Sequence, residues 1–197
     1  MDYFYATIPH KCNTPEVFPF MEKKYLRNIL AKYIPDWKKE AVLNISYYID
    51  MDGTVNYWDE KGNIYEPHYF LNRKPFWNVI GAIALLKSYG CKLYFGTSVI
   101  FDIKDAFTDK VAWVKKIGLG DIPVIGIPYG ANKDDYLLGD NKFLLDDYNP
   151  NLNSFSGKKA KLLNGINNKR GSWKGPVINK DDEPLVIALK IINAACT

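Results

Sequence analysis

Short apolar segments alternate with helix-like segments along most of this chain, and this alternation constrains its fold more than any other feature. Segments typical of buried strands lie at residues 42–49, 92–95, 122–127, 143–145 and 160–163. Apolar residues recur at helical spacing near residues 75–89 and 104–117 and from about residue 182. Strands that alternate with helices favour a parallel sheet with right-handed crossovers and helices on both faces. The sequence therefore predicts an α/β fold with a Rossmann-like parallel sheet flanked by helices.

The chain is expected to form a single domain, because 197 residues fit one domain with a small appendage. Residues 1–40 are predicted to be an N-terminal helical extension, with a helix at about residues 19–34. Residues 55–74 are predicted to form a minimal cap after the first strand, with a short hairpin that turns at residues 61–63. Pro123 is awkward inside a central strand, so the third strand should begin after it or lie toward an edge.

The composition argues against several classes of protein. The cysteines are Cys12, Cys91 and Cys196, far apart in the chain, and only two histidines are present, so neither a structural zinc site nor a disulfide framework is expected. No run of about 18 apolar residues occurs, so we expect no membrane partner and a reducing cytoplasm. A net charge of +4 suits anionic substrates but does not by itself indicate nucleic-acid binding.

Two carboxylates directly follow the first predicted strand. Asp50 and Asp52 lie in the run IDMDGTV at residues 49–55. Side chains at i and i+2 point to the same side of a strand, and ligands of open α/β sheets bind at the carboxyl ends of strands. A calcium-binding loop can also contain DxDG, but Asp59 and Glu60 do not supply the further ligands that such a loop needs. We therefore interpret Asp50 and Asp52 as functional residues.

The other predicted strands also lead into polar side chains. Thr97 and Ser98 follow the second strand, Lys133 follows the third, and Asp146 and Asp147 follow the fourth. Because the carboxyl ends of parallel strands share one rim, the predicted site holds four carboxylates together with hydroxyls and an ammonium group. Carboxylates so close together repel one another, and a hard divalent cation with oxygen ligands relieves the repulsion. The residues thus predict phosphate chemistry assisted by Mg²⁺.

The order of these motifs resembles the haloacid dehalogenase superfamily of phosphotransferases. The order is DxDGT, then an apolar strand that ends in Thr or Ser, then Lys, then two adjacent Asp residues. Within that superfamily the chain is most similar to the 5'(3')-deoxyribonucleotidases and their bacterial and phage relatives. The narrower similarity is carried by residues 95–98 (FGTS), 110–114 (KVAWV), 144–148 (LLDDY) and 162–167 (LLNGIN), with Trp173. The resemblance spans roughly residues 42–175.

The resemblance implies a role for each acid. Asp50 would attack phosphorus and form an aspartyl-phosphate, and Asp52 would protonate the leaving oxygen and then activate a water molecule. Asp146 and Asp147 would hold Mg²⁺ directly or through water, together with Asp50 and the backbone carbonyl of Asp52. Which of Asp146 and Asp147 binds the metal directly stays open.

The resemblance also implies a set of phosphate-binding residues. Thr97, with Ser98 beside it, would donate hydrogen bonds to the phosphoryl oxygens, and a lysine would neutralise charge on Asp50 and the phosphate. Lys133 lies just before the fourth strand, where the lysine of the superfamily usually lies. Lys110 is its competitor, since the K-x-x-W context of Lys110 also resembles the deoxyribonucleotidases.

Residues around the site bear on the substrate. Trp58 or Tyr65 in the short cap would stack on a base, or else the cap aromatics simply cover the core. A basic stretch could bind a polyanion or form a solvated face, and it comprises Lys158, Lys159, Lys161, Lys169, Arg170 and Lys174, with Trp173. The deoxyribonucleotidases carry a larger helical cap. The shorter cap here leaves the site open to a larger substrate, or to closure by a second subunit in a homo-oligomer.

We therefore expect a Mg²⁺-dependent phosphomonoesterase, a 5'-nucleotidase whose small-molecule substrate is a nucleoside monophosphate, with a 5'-deoxyribonucleotide as the first candidate. Two alternatives stay open. One keeps the chemistry and changes the substrate to a sugar phosphate or to the phosphorylated end of a nucleic acid. The other is a non-catalytic binding module on the same scaffold.

Overall fold

A six-stranded, all-parallel sheet forms the centre of the protein, in a computed structural model that describes residues 15–167 and 171–197. The strands are β1 (Ser46–Ile49), β2 (Lys92–Val99), β3 (Val124–Pro128), β4 (Lys142–Asp146), β5 (Lys158–Leu163) and β6 (Val177–Asn179). Their order across the sheet is β3-β2-β1-β4-β5-β6, and every neighbouring pair is parallel. The prediction of an α/β fold with a Rossmann-like parallel sheet is confirmed.

Helices flank this sheet. The α-helices are α1 (Lys23–Ala31), α2 (Asp36–Asn44), α3 (Trp77–Tyr89), α4 (Ala106–Lys116), α5 (Asn149–Ser154) and α6 (Pro184–Cys196), and 3-10 helices span Pro15–Phe20 and Lys133–Asp135. Helix α3 packs against α1, α6 and the first 3-10 helix. It ends at Gly90, whose φ of 105° is left-handed and whose N–H donates to the carbonyl of Leu86, which is a common way for a helix to stop.

Both faces of the sheet are buried at its centre. In β1, Tyr47 and Ile49 join the larger core with residues of α1, α3 and α6, whereas Tyr48 joins a second cluster on the other face. The second cluster includes Leu152 of α5 and Trp173. Burial of alternate residues on opposite faces is what a central parallel strand requires. It leaves the carboxyl ends of the strands as the place where polar groups can gather.

Several element boundaries differ from the prediction. Val42 was expected in the first strand, but it lies in α2, and β1 begins only at Ser46. A short apolar run suits a buried helical turn as well as a strand, so the periodicity of this run could not distinguish a helix from a strand. The helix predicted at residues 19–34 is divided into a 3-10 helix and α1, and residues 1–14 of the predicted extension lie outside the described residues.

The predicted hairpin in the cap is wrong. Turns and bends occupy residues 60–62 and 64–69, and the only bridges described near them join Asn56 to Asp52 and to Pro75. Side-chain oxygens hold the segment in turns, since Asp59 accepts a hydrogen bond from the N–H of Lys61. Strand β2 is longer than predicted because β3 pairs with its second half, and neither α5 nor β6 was predicted.

The edge position of β3 agrees with the expectation from Pro123, because the strand begins at Val124, directly after that proline. Within residues 15–167 and 171–197, no helix has the length and apolar character needed to cross a membrane.

Candidate functional site

The carboxyl ends of three adjacent central strands meet at one point of the sheet. Strand β1 lies between β2 and β4, and Asp50 continues the β1 ladder by donating its N–H to the carbonyl of Leu145 at 2.9 Å. Asp146 is the last residue of β4, and Thr97 lies near the end of β2. The spatial order of the strands therefore gathers side chains that are about fifty residues apart in sequence.

Lys133 links two of the predicted acids. Its Nζ lies 2.5 Å from Asp50 Oδ1 and 2.8 Å from Asp146 Oδ2, and it also donates to the carbonyl of Gly96 at 3.1 Å. The lysine is only 1% exposed and lies in the short 3-10 helix that Asn132 caps with its side chain. Burial lowers the pKa of Lys133, but the carboxylates of Asp146 and Asp50 outweigh this effect, so the net shift is upward.

Asp50, Asp146 and Asp147 form a compact group of carboxylates. Each offers an oxygen, and these oxygens lie within 4.8 Å of one another. Burial raises the pKa of Asp50 to about 6, since Lys133 only partly offsets burial and the repulsion from Asp146. Burial, followed by Asp146 and Asp50, also raises the pKa of Asp147 well above its ordinary value. The upward shifts show that ionising all three acids is unfavourable with Lys133 as their only cation.

This group suits a hard divalent cation. When all three carboxylates are ionised, the single ammonium of Lys133 leaves a formal charge of −2, and a bound cation would favour this ionised form over the protonated one. The donors are all carboxylate oxygens, which favour Mg²⁺, Ca²⁺ or Mn²⁺ over softer metals. The side chain of Asp52 lies outside the group, so of the predicted metal ligands the structure brings together Asp50, Asp146 and Asp147.

Lys110, the competing lysine, also lies in the site but contacts different residues. Its Nζ forms an ion pair with Asp52 Oδ2, donates to Thr97 Oγ1 at 2.8 Å and donates to the carbonyl of Ser98 at 2.9 Å. It also lies 4.7 Å from the ring centre of Phe70 in the cap. The two predicted lysines therefore do not exclude each other, because each contacts a different carboxylate of the DxD pair.

The predicted phosphate-binding hydroxyls lie next to this lysine. Thr97 is fully buried, and its Oγ1 accepts the hydrogen bond from Lys110. Ser98 is half-buried, and the contact described for it is made by its backbone carbonyl. Thr54, which was not predicted as a site residue, places its Oγ1 3.3 Å from both Asp50 Oδ2 and Asp147 Oδ1.

Two asparagines that the sequence analysis did not single out hold Asp147 in place. Asn164 Nδ2 donates to Asp147 Oδ2 at 3.0 Å and to the carbonyl of Gly53 at 2.8 Å. Asn167 Nδ2 donates to the carbonyl of Asp147 at 2.8 Å. Both belong to the run at residues 162–167 that carries part of the resemblance, and that run was the signal available in the sequence.

Gly53 is required where the DxDGT loop meets Asp147. Its φ is 81°, and a Cβ atom at this position would lie 2.6 Å from Asp147 Oδ2. The glycine thus lets the loop after β1 approach the acids after β4. The close approach explains in physical terms why the motif has Gly at this position.

A cleft of about 370 Å³ opens beside the acid group, by which we mean Asp50, Asp146 and Asp147. Trp58, Asp147, Tyr148 and Lys161 are among the residues that line it. Trp58 is half-buried there, whereas Tyr65 is 73% exposed and does not line the cleft. Of the two predicted stacking residues, only Trp58 is therefore placed next to the site.

The remaining sequence features divide between core and surface. Tyr69 and Phe70 of the cap are buried, which agrees with aromatics that cover the core. The basic stretch is not one surface, because Lys161 and Trp173 are buried. Lys158 and Lys174 are exposed and Lys159 is half-buried, while Lys169 and Arg170 lie outside the described residues.

Neither the protein-family models nor the curated proteins include a match to this chain.

Proposed function

We propose that this protein is a Mg²⁺-dependent phosphomonoesterase that resembles the haloacid dehalogenase superfamily and hydrolyses a nucleoside monophosphate. The observation that carries the proposal is the contact of Lys133 with both Asp50 and Asp146, beside Asp147. It joins a candidate nucleophile, a charge-neutralising lysine and a candidate metal group at the carboxyl rim of a parallel sheet.

Asp50 is the candidate nucleophile. An Asp50 oxygen would attack phosphorus and the ester P–O bond would break, which leaves the phosphoryl group on Asp50. Water would then attack the same phosphorus, and the P–O bond to Asp50 would break to release inorganic phosphate. Mg²⁺ held by Asp50, Asp146 and Asp147 would neutralise charge on the acids and the phosphoryl oxygens. The contact of Lys133 Nζ with Asp50 supports this step, because an ammonium group would stabilise the ionised form of Asp50 that the attack requires.

Asp52 is the candidate proton carrier. It lies two residues after Asp50 and is paired with Lys110, which in turn contacts Thr97. In the first step Asp52 would give a proton to the leaving oxygen, and in the second step it would take one from the attacking water. Thr97 and Lys110 would donate hydrogen bonds to the phosphoryl group, and their contact with each other beside Asp52 supports this role.

The nucleotide assignment rests on two observations other than the group of acids. One is the resemblance to the deoxyribonucleotidases, and the other is that Trp58 lines the cleft beside Asp147, where an indole ring can stack on a base. A cytoplasmic setting is part of the same proposal and is supported by Cys91 and Cys196, which are free thiols.

A phosphate-release assay tests the proposal. Purified protein with Mg²⁺ should release phosphate from nucleoside monophosphates faster than from sugar phosphates, and the release should stop in chelator and in Asp50→Asn. Asp140→Asn is the matched control, because Asp140 is exposed and lies outside the acid group. If only sugar phosphates, or only a phosphorylated oligonucleotide, released phosphate, that compound would replace the nucleoside monophosphate as the proposed substrate. No release from any of these substrates would favour the binding module instead.

A further inference from the structure

Lys161 is a buried lysine that the proposed chemistry does not use. It is 3% exposed and lies toward the carboxyl end of β5, paired in register with Asp146 on the neighbouring strand. Its side chain lines the same cleft of about 370 Å³ that Asp147 borders. A lysine at this depth beside a cleft needs a physical explanation, since ammonium groups are rarely buried without a partner of opposite charge.

The contacts of Lys161 are sparse for a buried cation. Its Nζ donates to Asn149 Oδ1 at 2.8 Å, and this acceptor is a neutral amide. An ammonium group carries three donors, and no carboxylate in the described parts of the chain lies close enough to form an ion pair with it. Lys133 and Lys110, the other fully buried lysines of the site, each pair with at least one carboxylate.

The cleft combines this ammonium with surfaces that suit a nucleotide. Trp58 and Ile166 contribute apolar faces, and Asn164 and Asn167 contribute amides. Glu60 also lines the cleft, but it lies in the cap and is exposed to solvent, which screens its charge. A volume of about 370 Å³ is toward the lower end of the range of about 300–1,000 Å³ that small-molecule sites occupy.

We propose that Lys161 binds a second phosphate of the substrate, so that the preferred substrate is a nucleotide with another phosphate or phosphodiester besides the one that is hydrolysed. This inference rests on the proposed function. The scissile phosphate lies at Asp50, the rest of the substrate passes Asp147 into the cleft, and the second anionic group accepts hydrogen bonds from the Lys161 ammonium. An anion there supplies the negative charge that the buried lysine lacks.

A comparison of substrates in Lys161→Met tests this inference. The value of kcat/KM is measured with Mg²⁺ for a deoxynucleoside 5'-monophosphate, the matching 3',5'-bisphosphate and a 5'-phosphorylated dinucleotide. Methionine keeps most of the volume of lysine and removes the charge. Lys158→Met is the matched control, because it removes the same charge from an exposed position at the opposite end of β5.

In the wild type, the bisphosphate or the dinucleotide is expected to be hydrolysed more efficiently than the monophosphate. This preference should fall by about ten-fold or more in Lys161→Met and stay unchanged in Lys158→Met. Loss confined to the bisphosphate identifies a free nucleotide as the source of the second phosphate, and loss confined to the dinucleotide identifies a nucleic-acid end. An equal loss for all three substrates would show that Lys161 contributes only to the general charge or stability of the site and would overturn the inference, as would an unchanged preference.

Binding to Asp50→Asn separates this inference from the proposed function. The affinities of the monophosphate and the bisphosphate are measured by calorimetry in Asp50→Asn, with and without Lys161→Met. Suppose that the wild type releases no phosphate, but that Asp50→Asn binds the bisphosphate more tightly than the monophosphate only when Lys161 is present. That result would remove the proposed function and keep the second-phosphate site. Phosphate release by the wild type, without any preference that depends on Lys161, would do the reverse.

Discussion

Asp50 should make the metal-free protein less stable as the pH rises. Burial raises the pKa of Asp50 from its ordinary value of 3.8 to about 6 in the folded protein. Between these values the folded protein holds a proton that the unfolded chain has released. The stability that this proton provides is fully present below a pH of about 3.8 and is lost as the pH rises through about 6.

The size of the loss follows from the pKa difference. A shift of about two units corresponds to roughly 3 kcal/mol of unfolding free energy. Asparagine cannot ionise, so Asp50→Asn should remove this part of the pH dependence. Mg²⁺ should reduce it in the wild type, because a bound cation stabilises the ionised carboxylate. Asp147 should also make the folded protein less stable as the pH rises, since its pKa is raised too.

Urea unfolding in chelator, at several pH values between about 4 and 7.5, measures this effect. The quantity of interest is the difference in unfolding free energy between wild type and Asp50→Asn at each pH, because groups that do not interact with Asp50 cancel in that difference. Asp147 does not cancel, since Asp50 helps to raise its pKa, and it adds to the difference in the same direction. Asp140→Asn, at an exposed position, should follow the wild type. A difference that does not change with pH would refute the reasoning, because it would mean that Asp50 keeps an ordinary pKa in the folded protein.

Three further predictions concern single side chains. Lys133→Met leaves two buried carboxylates without their cation and should lower the unfolding free energy by about 3–5 kcal/mol in chelator, with partial recovery in Mg²⁺; wild-type stability in chelator would contradict this. Asn164→Asp places a like charge against Asp147, so the Mg²⁺ concentration for half-maximal phosphate release should change, while Asn153→Asp, at an exposed position, should leave it alone. Trp58→Ala should weaken the binding of nucleoside monophosphates by about 1–3 kcal/mol and spare sugar phosphates; an unchanged affinity for nucleotides would discard base stacking.

The sequence could predict the sheet and the identity of its acids, because both depend on short-range patterns. A buried apolar strand followed by polar residues is visible in one dimension, and parallel strands bring such ends to one rim. Asp50, Asp146 and Asp147 do lie together. The i and i+2 argument was less accurate for Asp52, since β1 ends at Ile49 and Asp52 pairs with Lys110 rather than joining that group.

Features that depend on long-range contacts could not be predicted. Nothing local to Asn164 indicates that its side chain reaches both Asp147 and the carbonyl of Gly53. Lys161 is buried, and its Nζ contacts Asn149 at the start of α5, twelve residues earlier in the chain. In the sequence alone, a run of lysines resembles a solvated face. The start of β1 was placed too early for a related reason, because Val42 is buried by tertiary packing in a helix.

Trapping the phosphoryl group on Asp50 would test the central claim most directly. Wild-type protein mixed with a nucleoside monophosphate and Mg²⁺ is quenched in acid during turnover and analysed by peptide mass spectrometry. We predict a phosphoryl group on the peptide that contains Asp50, which disappears in Asp50→Asn and persists in Asp140→Asn. Turnover with no phosphoryl group on that peptide, or with one on a different acid, would contradict the assignment of Asp50 as the nucleophile.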